Sequence, residues 1–130
     1  MAEFQVVVVT PEKTALEQSA DFVTLPAIDG ELGVLTNHAP LIARLAFGEM
    51  RIQSAGKIDR YYVDGGFAQI ADNVVTVLSG RAIAAGEINV PDVERQLEAA
   101  ESQNGGDPAQ EALRQRAITQ AKAQLKIAGK

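Results

Sequence analysis

The sequence contains no cysteine and no tryptophan, and it has one histidine among 130 residues. Without cysteine the chain can form no disulfide, no thiolate nucleophile and no cysteine-ligated zinc or iron–sulfur site. A single histidine also excludes any metal or catalytic site that requires two histidine side chains. No apolar run reaches the roughly 18–20 residues that a membrane-spanning helix requires. The sequence therefore predicts no metal centre and no direct membrane insertion.

Basic residues are in the minority, with 12 Lys and Arg against 17 Asp and Glu and a formal net charge of −5. Proteins that bind nucleic acid normally carry a basic surface that neutralises phosphates, so we expect no nucleic-acid partner. The N-terminus lacks the basic segment and the cleavage site of a secretory signal peptide. This predicts a cytosolic chain.

The composition changes near Pro91. Before it the chain is rich in Val, Ile, Phe, Tyr and Gly, whereas after it Ala, Gln, Glu, Lys and Arg dominate and no aromatic residue occurs. These are the compositions of strands and of helices respectively. We therefore predict a β domain over residues 1–86 and a helical domain over residues 87–130.

The first part contains about ten short apolar segments separated by turn signals. Asp72-Asn73 is a typical two-residue hairpin turn, and Gly48 and Gly65-Gly66 also end segments. Regular spacing of this kind predicts an antiparallel β-sandwich or barrel. Several segments are apolar on both faces, which predicts two packed layers.

The second part predicts a helical hairpin. Apolar residues recur at helical spacing, and Asp107-Pro108 is a favourable helix start after the break Asn104-Gly105-Gly106. The first arm, residues 92–103, carries a net charge of −3, and the segment beyond Pro108 carries +4. The apolar faces are thin and largely alanine. Since each large buried side chain contributes only about 1.5–3 kcal/mol, we expect the hairpin to be weakly docked.

Three features could take part in catalysis or in ligand binding, and each also has a simpler structural interpretation. His38 could act as a general base, but no serine or cysteine nucleophile motif accompanies it, which favours a loop-positioning role. Gly65-Gly66 could cradle a phosphate, but it joins two strands and lacks the known phosphate-loop patterns, which favours a bulge or tight turn. The basic second helix could contact acidic lipid or nucleic acid, or it could be a solvated face.

Carboxylates are scattered through the first part without the spacing of a metal-binding loop. We interpret them as solvated strand ends. They are Asp29, Glu31, Asp59, Asp64 and Asp72. The sequence thus shows no arrangement of catalytic residues, and it indicates a function in protein interaction and regulation.

Two motifs carry a family resemblance. The segment Asp29–Leu35 followed by His38–Leu41 resembles the G-E-x-G-x-L…H-x-P-L signature of the epsilon subunit of F-type ATP synthases. Val63–Phe67 with Val74–Leu78 resembles the second signature of that family, a G-G-F/I hairpin that runs into V-x-V-L. The order of the motifs, the chain length and the helical second part agree with this family over nearly the whole chain.

The resemblance implies a ten-stranded β-sandwich followed by an α-helical hairpin. It implies a non-catalytic rotor subunit of the central stalk, bound to the gamma subunit and the c-subunit ring, that couples hydrogen ion transport to ATP synthesis. Such a subunit is peripheral, on the cytoplasmic side of the bacterial inner membrane, within the F1 sector. The residues implied at the c ring are Asp29, Gly30, Glu31, Leu32 and Gly33, and those implied at the gamma subunit are His38 and Pro40.

In bacterial members the hairpin is a regulatory arm that folds against the sandwich or extends into the catalytic head, where it blocks ATP hydrolysis. The resemblance implies that Arg114, Arg116 and Lys122 contact an acidic loop of the beta subunit. Some members bind ATP through an [I/L]-D-x-x-R-A motif. Here Asp92 and Arg95 match that motif, whereas Pro91 and Gln96 depart from it.

Asp92 and Arg95 are accordingly the candidate nucleotide contacts, and a simple surface ion pair is the plainer interpretation. Because of the two departures we expect no bound ATP and no other cofactor. Outside this family, the alternatives are a small-ligand-binding β-sandwich module with a helical appendage and a hydrolase that uses His38. Within the family, the alternative is the organellar counterpart.

Overall fold

The structure, a computed structural model, describes residues 3–103 and 106–129. Within these ranges strands come first and helices follow. The strands are β1 (Phe4–Val9), β2 (Thr14–Ala20), β3 (Phe22–Ala27), β4 (Gly30–Leu35), β5 (Leu41–Ser54), β6 (Lys57–Ala71), β7 (Val74–Leu78) and β8 (Ala82–Ala84). A short 3-10 turn over Ala85–Glu87 leads to α1 (Val90–Ser102) and then to α2 (Pro108–Ile127).

The strands follow the order β2-β1-β7-β6-β5-β3-β4, and β8 pairs with β6. All of these pairs are antiparallel except β1–β7, which is parallel. The long strands β5 and β6 pair along their whole length. One half of β6 pairs with β7 and the other half with β8, so the ladder folds over into two layers. The predicted β-sandwich followed by two helices is confirmed.

Two predicted strand breaks are wrong, because Gly48 and Gly65-Gly66 lie inside β5 and β6. Each of these strands therefore replaces two of the ten short strands that were predicted. A Cβ atom at Gly66, whose φ is +98°, would lie 1.8 Å from the Leu78 carbonyl oxygen. A Cβ atom at Gly48 would lie 2.9 Å from the Pro26 Cβ. These glycines allow neighbouring strands to approach where the sheet folds over.

The core lies between the two layers and collects alternate residues from both. Val6 and Val8 come from β1, Val75 and Val77 from β7, and Met50 from β5, and all are buried. The remaining members of this cluster are Phe4, Ala20, Val23, Leu25, Val34, Leu45, Ile52, Val63, Ala68 and Ile70.

The helical hairpin is docked on the outer face of the layer that contains β3, β4 and β8. The Asn89 side chain caps α1, and Asp107 caps α2 as predicted, accepting a hydrogen bond of 2.8 Å from Gln110 N. The predicted break at Asn104-Gly105 lies outside the described residues. A second apolar cluster joins both helices to the sheet through Tyr62, Ile88, Val93, Ala121 and Ile127. Neither described helix is long and apolar enough to cross a membrane.

Candidate interaction surfaces

The first surface is the tip of the β3–β4 hairpin, which contains the predicted residues 29–33. Its turn is tied to β5 by the hydrogen bond from Ile28 N to Arg44 O, at 3.0 Å. Asp29 and Glu31 are exposed, whereas Leu32 packs against the sandwich core. A Cβ atom at Gly33 would lie 3.0 Å from the Phe22 ring, so this glycine makes room for an aromatic side chain. The five predicted residues therefore divide into an exposed acidic part and a structural part.

The loop that precedes β5 carries His38 and Pro40, and a second turn holds it in place. Asn73 Oδ1 accepts a hydrogen bond of 2.6 Å from Asn37 N, and Asn73 Nδ2 donates one of 3.2 Å to Asn37 Oδ1. His38 Nδ1 lies 2.7 Å from the Ala39 carbonyl oxygen. Because one ring nitrogen of His38 is engaged with the backbone of its own loop, the loop-positioning interpretation agrees with the geometry. Pro40 is exposed beside it.

An exposed apolar sheet face continues from this loop. Ile42, Phe67 and Leu78 are 70%, 52% and 50% exposed. Phe67 stands directly opposite Leu78 in the β6–β7 ladder, and Arg44 stands opposite Phe67 on the other side. We call this face of β5, β6 and β7 the apolar face. The sequence signal for this face is the apolar character of these strands on both sides, which by itself predicts only two packed layers.

On the other layer, Asp64 joins β6 to α2. Asp64 Oδ1 accepts hydrogen bonds from Tyr62 Oη at 2.5 Å and from Gln120 Nε2 at 2.9 Å. Its other oxygen lies 3.5 Å from Arg81 Nε, and the Arg81 guanidinium lies 5.8 Å from the centre of the Tyr62 ring. Burial, together with the hydrogen bond to Asp64, raises the pKa of the Tyr62 hydroxyl. The carboxylate of Asp64 is thus the polar centre of the docked hairpin. Its interpretation as a solvated strand end is wrong, because it lies inside β6 and α2 covers it.

The end of α2 is held by a second polar contact. Arg60 Nη2 donates a hydrogen bond of 2.8 Å to the carbonyl oxygen of Ile127, and Arg60 Nε lies 2.5 Å from Glu49 Oε2. Alternation along β6 places Arg60, Tyr62 and Asp64 on one face of the strand. A local sequence pattern cannot show that this polar face meets a helix more than 50 residues away.

The three predicted regulatory cations do not share one surface in the docked hairpin. Arg114 Nη2 donates a hydrogen bond of 3.3 Å to the Glu101 carbonyl oxygen of α1. The Arg116 guanidinium lies 5.4 Å from the centre of the Phe47 ring on β5. Lys122 is exposed to solvent. Two of the three cations are therefore engaged within this chain, one with the other helix and one with the sheet.

The candidate nucleotide contacts Asp92 and Arg95 form an ion pair with each other on the exposed surface of α1. The groove between the two helices, of about 570 Å³, is lined by Arg81, Gln96 and Arg114 among others, and neither Asp92 nor Arg95 lines it. The geometry agrees with the interpretation of an ordinary helix-surface pair, and the absence of bound ATP stays a prediction.

Comparisons with known proteins agree on one family. Residues 3–85 match the family described as "ATP synthase, Delta/Epsilon chain, beta-sandwich domain". The ATP synthase epsilon chain of Rhodopirellula baltica is 45% identical over 120 residues, which span 92% of this chain and 94% of that one. This likeness extends beyond the β-sandwich into the helical hairpin.

Two solved structures have the same fold. A chain in the Euglena gracilis mitochondrial ATP synthase, solved as OSCP/F1/c-ring, superimposes with a TM-score of 0.84 and 25% identity, over 95% of this chain and 79% of that chain. A chain in the central stalk/c-ring of the Tetrahymena thermophila mitochondrial ATP synthase gives a TM-score of 0.71 with 16% identity, over 95% of both chains. At that identity the second likeness supports the fold alone.

Proposed function

The chain belongs to the ATP synthase delta/epsilon chain family, and from this premise we propose how its surfaces are used. It is a rotor subunit of the central stalk of an F-type ATP synthase and is not itself catalytic. Its partners are the gamma subunit and the c ring, and it is peripheral to the membrane. We assign it to the cytoplasmic side of a bacterial inner membrane. Membership of this family argues against the two alternative functions, a small-ligand-binding module and a hydrolase that uses His38.

The assignment of binding surfaces to partner subunits rests on the exposed apolar face. Monomeric proteins rarely leave a contiguous set of large apolar side chains in water, and such a patch usually marks a protein interface. Ile42, Phe67 and Leu78 form such a patch on the sandwich layer opposite the hairpin. We assign this face, with His38 and Pro40 at its edge, to the gamma subunit.

The exposed tip of the β3–β4 hairpin is assigned to the c ring. Asp29 and Glu31 supply carboxylates there, and the exposed side chains of Ile28 and Leu41 lie on a shared groove of about 440 Å³. A polar loop of a partner could seat its backbone in such a groove while its polar side chains meet the carboxylates. Ile42 of the apolar face also lines this groove, so the two assigned surfaces adjoin each other.

The gamma assignment is tested by Phe67→Glu. A carboxylate at the centre of an apolar interface would be buried without a partner, so we expect binding to the gamma subunit to weaken roughly tenfold or more. Ile58→Glu is the matched control, because Ile58 is 54% exposed, like Phe67, but lies on the other layer. Isothermal titration of gamma with each folded variant measures the effect. Unchanged affinity for Phe67→Glu would contradict the assignment.

The helical part, residues 87–130, is proposed to be the regulatory arm. In the docked state Arg116 lies over Phe47 of the sheet, whereas Arg114 contacts Glu101 of α1 and pairs with Glu111 of its own helix. Undocking from the sheet therefore frees Arg116, and separation of α2 from α1 frees Arg114 from the Glu101 carbonyl. We propose that the released helix, with Lys122, contacts an acidic loop of the beta subunit and restrains ATP hydrolysis.

This arm is tested with the triple variant Arg114→Gln, Arg116→Gln, Lys122→Gln in the reconstituted head and stalk. We expect weaker inhibition of ATP hydrolysis and a smaller dependence of that inhibition on salt, since screened charge pairs would be lost. Lys57→Gln, which removes an exposed cation of the sandwich, is the control. Inhibition and salt dependence equal to those of the unmodified chain would exclude these three cations.

A further inference from the structure

A line of alternately charged side chains crosses the outer face of the hairpin-bearing layer and ends on α2. Glu31 Oε2 lies 3.1 Å from Arg51 Nη2, and Arg51 Nη1 lies 2.8 Å from Glu49 Oε1. Glu49 Oε2 lies 2.5 Å from Arg60 Nε, and Arg60 Nη2 donates a hydrogen bond of 2.8 Å to Ile127 O. Four consecutive contacts thus connect the exposed tip of the β3–β4 hairpin to the last residue of a helix.

The final contact matters because helices end with carbonyl oxygens that have no partner within the helix. The Gln124 and Lys126 carbonyls accept hydrogen bonds from Ala128 N and Gly129 N respectively. The Ile127 carbonyl is bound by Arg60 instead. This end of a helix is also the negative end of its dipole, which favours a guanidinium there. Arg60 therefore fastens the end of α2 to the sheet.

Glu49 sets the orientation of that guanidinium. The guanidinium is planar and rigid, so an ion pair through Nε fixes the direction in which Nη2 donates. Burial opposes the ionisation of Glu49, but hydrogen bonds from Arg51 and Arg60 outweigh it and hold its pKa below the usual value. Glu49 is shared between these two arginines, and Arg51 is in turn shared between Glu49 and Glu31.

We propose that this line of residues, the Glu31–Arg60 relay, couples the exposed carboxylate of Glu31 to the docking of α2. When Glu31 is neutralised or drawn away by a cation of a partner, Glu49 is the one ion-pair partner that Arg51 keeps among the described residues. Glu49 then holds Arg60 less firmly, and the contact between Arg60 and Ile127 O loosens. Glu31 makes no ion pair with the described residues of α2 and acts through its neighbours. The coupling is a property of the isolated chain and holds whether or not Glu31 meets the c ring.

The test is amide hydrogen exchange at Ala121 and Gln124, two buried residues of α2, in the full-length isolated chain. Exchange measures the ratio of closed to open amides even when opening is rare. Because most of the stability of a helix in a protein comes from its packing, undocking of α2 opens these amides. We expect Glu31→Gln to lower this ratio about two- to fivefold, the range of an exposed but networked ion pair. Glu17→Gln, which removes an exposed carboxylate from β2 on the other layer, should leave the ratio unchanged.

A double-mutant cycle separates the relay from a simple loss of charge near the helix. If coupling runs through Arg60, Glu31→Gln should have almost no effect in the Arg60→Gln background, because the last contact is already absent. An effect of Glu31→Gln that persists undiminished in that background would overturn the proposal. So would unaltered exchange in the single variant Glu31→Gln.

Discussion

The sharpest prediction concerns Gln120→Glu, an isosteric change at the contact between the hairpin and Asp64. In the docked hairpin the Gln120 amide donates a hydrogen bond of 2.9 Å to Asp64 Oδ1. The variant replaces this donor by a carboxylate that faces another carboxylate. Since the shape of the side chain is retained, the change tests the polarity of the contact and leaves its packing intact.

The magnitude follows from the geometry. A hydrogen bond to a charged group contributes about 1.5–3 kcal/mol, and two carboxylates about 4 Å apart near a protein surface repel by roughly 4 kcal/mol. Residue 120 is half-buried, so the new carboxylate can turn toward solvent and escape most of the repulsion. We therefore expect docking to weaken by about 2–3 kcal/mol, or roughly 30- to 150-fold in the docked-to-undocked ratio.

Hydrogen exchange of the α2 amides measures this ratio in the isolated chain. Thr119→Glu is the matched control, because it adds the same charge one residue away on the exposed side of α2. The double variant Asp64→Asn, Gln120→Glu should restore much of the docking, since an amide then donates to a carboxylate with the roles exchanged. If the α2 amides are equally protected from hydrogen exchange in Gln120→Glu and Thr119→Glu, the view that Asp64 holds the hairpin is refuted.

Two further predictions concern the fold itself. Gly66→Ala should destabilise the chain by about 3 kcal/mol or more in urea unfolding, because the new Cβ would clash with the Leu78 carbonyl oxygen. Gly56→Ala, also at positive φ but with open space around it, should cost only about 1 kcal/mol, and equal losses would contradict the clash. Tyr62 has a raised pKa in the folded chain, so it contributes stability that is present below its unfolded pKa of about 10 and is lost as the pH rises above it. When thermal unfolding is measured as a function of pH, Tyr62→Phe should reduce the loss of stability at alkaline pH. A loss equal to that of the unmodified chain would show that another group causes it.

Local chemistry explains what could be predicted from the sequence. Asp72 and Asn73 have φ values of +52° and +60°, which confirms the predicted hairpin turn between β6 and β7. The Asp107 cap of α2 is likewise decided by residues within one turn of helix. In both cases the residues that determine the structure are neighbours in the chain, so a short sequence pattern contains all the information that is needed.

The wrong predictions have a non-local cause. The residues next to Gly48 and Gly65-Gly66 predict strand ends, but the long β5–β6 ladder continues through these glycines. The Asp64–Gln120 contact joins residues 56 positions apart. Alternation along β6 places Asp64 on the same face as Arg60 and Tyr62 but cannot show what covers that face. The interface roles of residues 29–33, His38 and Pro40, and the division at residue 86, stay predictions.

The two outer faces of the sandwich suit two different kinds of binding. The apolar face offers large side chains whose return to water costs free energy, which suits the proposed stalk partner that stays bound through every rotation. The hairpin face combines the apolar cluster around Tyr62 and Ile127 with the polar side chains of Asp64, Arg60 and Glu49. Water can replace the hydrogen bonds of these polar groups when the helices leave, so they add little to the net cost of undocking. A partly polar interface therefore suits the proposed arm, which releases repeatedly, and an apolar one suits the proposed permanent stalk contact. On this reasoning, replacing the polar hairpin contacts by apolar ones would lock the arm down without affecting binding to the stalk.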